Sequence, residues 1–184
     1  DGADACMLSG ETAVGQYPVV VVEMMNRIAL ATEASIERRP PRPPERDPTI
    51  QLHQITRAVV YGAGQMAHHL QARLVVVASH SGKTALALSQ QRSFVPTVGV
   101  SSEEDTLRQM CLYWGVTPLR GAPACNMQEL IRHTDVWSTR VGFTEPGDRI
   151  VILGGSHLAA GPGGDEMSGG VHDVVIVHEV EGIA

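Results

Sequence analysis

Residues 73–84 read RLVVVASHSGKT, and the topology of the chain turns on them. The run LVVVA, within a strand predicted over Arg73–Ala78, has no polar residue on either face. A strand of that kind belongs in a parallel sheet covered on both sides. SHSGKT then breaks the apolar run, and a helix is predicted over Lys83–Gln91. Working outward, Thr97–Val100 after Pro96 reads as a second strand. Ser101 and Ser102 precede Glu104 and Asp105, so two overlapping capping boxes are expected to open a helix with Leu107, Met110 and Cys111 inward. Gly115–Leu119 is a third strand. Met127, Leu130, Ile131 and Thr134 define a helix reaching Val141. EPGD at 145–148 is a turn, Ile150–Leu153 a fourth strand, and Val171–Val180 the last. Strands alternating with helices imply an α/β fold: a doubly wound, mostly parallel five-stranded sheet with helices on both faces.

Upstream of this unit the pattern changes. From Thr49 to Gln71, apolar residues recur at Leu52, Ile55, Val59, Ala63, Met66 and Leu70, spaced as one buried helical face. Asp47 and Pro48 supply its expected cap and first turn. Before them, RRPPRPPERDP at 38–48 places five prolines in eleven residues. That density excludes regular helix or central strand and predicts a stiff connector. Pro18 suits the first position of a helix, and Val22, Met25, Ile28, Ala29 and Thr32 carry that helix to Glu37. Ala3–Leu8 reads as a short buried strand. The organisation expected is therefore 1–37, a linker at 38–48, and a domain at 49–184.

Composition narrows the function classes. The chain has 184 residues, 43% hydrophobic and 18% charged, with a formal charge of −6. The hydrophobic share suits a globular chain. An acidic balance without a basic block argues against nucleic acid and anionic membrane as partners. No apolar run approaches the ~20 residues of a spanning helix, and the start carries no signal-peptide pattern. Beginning at Asp1 rather than Met, the chain is expected to be part of a longer protein. Cys6, Cys111 and Cys125 are odd in number and share no metal-like spacing. Reduced thiols and a cytoplasmic location are expected.

Two stretches carry candidate chemistry. A loop leaving the carboxyl end of a parallel strand and opening a helix presents backbone N–H groups and the positive end of the helix dipole. In SHSGKT, Ser79, Ser81 and Thr84 add hydroxyls, Gly82 admits close approach, and Lys83 adds a full charge. The P-loop pattern fails, because its first glycine would fall at Val77. A phosphate cradle and an ordinary polar turn with a solvated lysine both fit the spacing. The second stretch, GGSHLAAGPGGDEMSGG at 154–170, has seven glycines in seventeen residues. It leaves the same sheet edge, where ligands bind in open sheets, and reads as a lid or as plain surface loop. The histidines do not make a metal site: His68 and His69 are adjacent, and His172 and His178 lie too far apart on one strand. No metal site is expected.

DGADACMLSGETAVGQYP at 1–18 closely resembles the last strand and helix start of the catalytic barrel of pyruvate kinase. SHSGKTA at 79–85 resembles that family's phosphate loop. PTVGVSSEEDTLRQMCLYWGVTPL, GDRIVILGG and VVIVHEV resemble the strands and helices that follow it in order. The resemblance implies that residues 1–37 are the last βα unit of a (β/α)8 barrel. It implies that 49–184 are the regulatory and oligomerisation domain, its last strand antiparallel. Torn from its neighbours, the strand at Ala3–Leu8 would be frayed, packed on another copy or re-formed locally. The family converts phosphoenolpyruvate and ADP to pyruvate and ATP, using Mg²⁺ and usually K⁺. The groups that hold metal and substrate lie outside this sequence, so no cofactor is expected here and catalysis by this chain alone is not. Ser9 matches a serine linked to proton relay. An effector, a sugar phosphate or nucleotide, would rest on Ser79, Ser81, Gly82, Lys83 and Thr84, with Gly161, Gly163 and Gly164 of the loop above it. A homo-oligomer, tetrameric in the parent enzyme, is implied. The alternative is a stand-alone phosphometabolite-binding module with no enzyme attached.

Overall fold

The apolar run at 74–78 forms strand β1 (Leu74–Ala78), and all five residues are buried. In the computed structural model, which describes residues 3–36, 52–124, 126–155 and 172–181, the chain divides into two units between Pro40 and Pro41. In the second unit β1 lies at the centre of a sheet with β2 (Thr97–Val100), β3 (Val116–Pro118), β4 (Arg149–Gly155) and β5 (His172–Glu179). The order is β3-β2-β1-β4-β5. Val76 pairs with Val98 on one side and Ile152 on the other, both parallel. β5 runs antiparallel to β4, with Ile152 opposite Ile176. β1 is hydrogen-bonded on both edges and covered on both faces, which explains why its residues do not alternate with polar ones.

Helices cover the two faces unequally. On one face α3 (Gln54–His69), α4 (Lys83–Ser89) and α5 (Glu104–Met110) pack Val60, Ala63, Ala85, Leu88, Leu107 and Met110 against Val75, Val77, Val151 and Leu153. On the other, α6 (Met127–Arg140) sets Met127 and Leu130 on Leu74, Val76, Ile150 and Ile152. The chain thus winds outward from β1 through β2 and β3. It then crosses behind the sheet to β4, on the other side of β1.

The details correct several expectations. The buried face of α3 is Thr56, Val60, Ala63, Gly64 and Ala67; of the expected stripe Ala63 is buried and Leu52 and Val59 pack partly buried against the core, while Ile55 turns outward. Ile55 is half exposed. Val60, Ala63 and Ala67 join the core cluster on that face of the sheet. At Gly64 an added Cβ would collide with the Gln91 carboxamide. Gln91 is fully buried, and its Nε2 donates to the Val60 carbonyl at 2.8 Å. That inward turn ends α4 at Ser89. The helix of residues 104–110 begins after both candidate serines. Its N-cap is Glu103, whose N–H is accepted by Ser101 Oγ at 3.1 Å, so neither capping box forms. Cys111 is exposed beyond the last helical turn, off the inner face.

The first unit holds α1 (Gly10–Ala13) and α2 (Pro18–Ile36). Ala3–Leu8 is not a strand, and residues 3–7 are exposed. A strand is stabilised by a ladder partner, and the five strands of the sheet pair with one another. Along α2 the apolar side chains Val19, Val22, Ile28 and Leu30 are each more than half exposed. The prolines of 38–48 and the cap at Asp47 and Pro48 lie outside the described residues.

Candidate functional site

The loop leaving β1 is short and tightly held. Ser79 continues the sheet by donating its N–H to the Val100 carbonyl at 2.8 Å, and its side chain is buried. Its Oγ accepts the Gly82 N–H at 3.1 Å, closing the turn. The His80 carbonyl accepts the Thr106 hydroxyl at 2.8 Å and the Ser101 hydroxyl at 3.4 Å. These bonds pin the loop to the start of α5. Gly82 caps α4 with φ +74°, in the left-handed region that favours glycine. A Cβ there would stand 3.2 Å from Thr106 Cγ2 and 3.3 Å from the Tyr113 hydroxyl.

The five predicted residues therefore fall into two groups. Ser79, Gly82 and Thr84 are buried, and Thr84 is engaged within the fold. They shape the turn. Ser81 and Lys83 face solvent, and Lys83 forms no ion pair with the described residues. The helical ladder of α4 begins with Leu86 donating to the Gly82 carbonyl at 3.0 Å. The amides before it have no intrahelical acceptor.

Nearby charge is mostly paired. His80 Nδ1 lies 3.6 Å from Glu103 Oε1. Arg120 holds Glu104 at 2.7 Å, and Arg108 holds Asp105 at 2.9 Å. The acidic start of α5 is therefore balanced by two guanidinium groups.

The turn occupies a particular place in the sheet. β1 has β2 on one side and β4 on the other, and the winding reverses between β1 and β4. In open α/β sheets the carboxyl edge at such a reversal is where ligands bind. The predicted loop residues Gly161, Gly163 and Gly164 follow β4 in the chain and lie outside the described residues.

Ser9 is in the first unit. Its carbonyl accepts the Ala13 N–H at 2.9 Å, and its own N–H donates to Glu11 Oε2 at 3.1 Å. The Glu11 amide and the Ser9 amide hold the Glu11 carboxyl below its ordinary range. Gly15 closes this turn where an added Cβ would strike the Glu11 carbonyl.

Sequence reasoning missed one buried polar pair. His178 Nε2 on β5 meets Asp135 Oδ2 on α6 at 2.8 Å, with both side chains largely buried. The other carboxylate oxygen of Asp135 is buried without a hydrogen-bond partner among the described residues. Forty-three positions separate the two residues, and no local spacing signals such a contact. Among the described residues no group of three or more His, Cys, Asp or Glu could hold a metal ion.

The second unit is thus a doubly wound α/β domain with a glycine-capped turn where its winding reverses. The family model for the pyruvate kinase alpha/beta domain matches residues 57–167, and the chain belongs to that family. It is similar to a pyruvate kinase of Sporosarcina psychrophila, 36% identical over 156 residues, covering 84% of this chain and 26% of that protein. A pyruvate kinase of Methylorubrum extorquens is 30% identical over 163 residues, covering 84% and 32% respectively. These matches span about a quarter to a third of the curated relatives. The crystal structure of a pyruvate kinase from Cryptosporidium parvum superposes with a TM-score of 0.72 at 18% identity, over 95% of this chain and 32% of that one. The likeness in structure is one of fold. The chain is a C-terminal portion of the pyruvate kinase architecture, with the mixed five-stranded sheet that the resemblance implies.

Proposed function

We propose that this chain is the effector-binding and subunit-contact portion of a pyruvate kinase that transfers phosphate from phosphoenolpyruvate to ADP. The division of labour in that proposal assigns residues 1–37 to the barrel, 38–48 to the linker and 49–184 to the regulatory domain. The parent would draw on Mg²⁺ and K⁺, work in the cytoplasm and assemble as a homotetramer. Phosphoryl transfer rests on positioning and on neutralising charge with metals and cations. Ser9 and its neighbour Glu11 cannot supply that, so the chain by itself is inactive as a kinase.

One observation carries the effector reading: Ser81 and Lys83, which forms no ion pair with the described residues, are exposed beside a left-handed Gly82 at the point where the sheet's winding reverses. A phosphorylated metabolite meets there a full positive charge, a hydroxyl and the amide end of α4. Sugar phosphates and nucleotides both carry the group that these donors recognise. Switching follows if the ligand prefers one quaternary state over another. In support of subunit contact, one edge of β5 is unpaired among the described residues, and such edges are usually covered.

Calorimetric titration with ribose 5-phosphate, glucose 6-phosphate, fructose 1,6-bisphosphate and AMP tests the proposal. At least one binds, and Lys83→Ala weakens it by about 1.5–3 kcal/mol, the value of a charge-assisted hydrogen bond. Absence of heat with all four at millimolar concentration contradicts the reading.

A further inference from the structure

We draw no further inference here: the strongest candidate, the buried Asp135–His178 side-chain pair between α6 and β5, has no third His, Cys, Asp or Glu beside it among the described residues to complete a ligand site.

Discussion

At the scale of single residues, Gly82 does two things that no other residue does at once. Its φ of +74° costs an L-residue about 1–2 kcal/mol, and the space a Cβ would fill is bounded by Thr106 and Tyr113. Gly82→Ala is expected to lower the unfolding free energy by about that amount in urea titration, and an unchanged midpoint would contradict the strain. The Asp135–His178 pair poses a different problem. Asp135 has one carboxylate oxygen buried without a partner among the described residues, and His178 is the group that compensates the other. Removing a partner from a buried polar group costs about 1–3 kcal/mol. His178→Ala should lose stability in that range, while the double change with Asp135→Asn recovers part of it. A double mutant no better than the single would show that the two side chains do not support each other. The sequence displayed the glycine, because Ser-Gly-Lys between a strand and a helix asks for a tight turn. It could not display the pair, whose members become neighbours only when α6 is laid on the sheet.

At the scale of elements, local signals and packing disagree in instructive places. β1 was legible because a strand buried on both faces leaves an unbroken apolar run, and Leu74–Ala78 is that run. The face of α3 was not. Ile55 and Met66 look like core by spacing, yet the buried positions are Thr56, Val60, Ala63, Gly64 and Ala67, of which Ala63 alone belongs to the expected stripe. The ends of helices follow their own rule. Asn126 Oδ1 accepts the amides of Gln128 at 2.9 Å and Glu129 at 3.1 Å, capping α6. The order Asn126-Met127-Gln128-Glu129 resembles a capping box, a signal that was available in the sequence. Asn126→Ala is expected to cost about 1 kcal/mol, read as a lower melting temperature. No change would place the helix start elsewhere. Ser101 and Ser102 made the opposite impression, with two apparent boxes and neither formed. Ser101 Oγ donates to the His80 carbonyl and accepts the Glu103 N–H, so it ties the candidate turn to the start of α5 without forming a box. The strand at Ala3–Leu8 failed for a reason outside its own residues, because its apolar pattern fits a ladder partner that it lacks here.

At the scale of the whole molecule, the account depends on where the winding reverses. Two crossovers on one face carry the chain from β1 to β3, and one on the other face returns it beside β1. That arrangement, rather than any single side chain, puts a polar strand-to-helix turn at the carboxyl edge where the winding reverses. The alternation of strands and helices announced the sheet, but the order of strands is a long-range property. Five of the predicted site residues stand on the turn, although three of them serve its shape and two, Ser81 and Lys83, face outward. Spacing alone could not make that division, because burial is decided by α5 and Tyr113 closing over the turn. The most direct test is a titration of the isotopically labelled chain with fructose 1,6-bisphosphate or AMP, followed by amide NMR. The account predicts saturable shifts concentrated at Ser79–Thr84 and absent from α2. Shifts that saturate elsewhere in the sheet and leave Gly82 and Lys83 unmoved would contradict it.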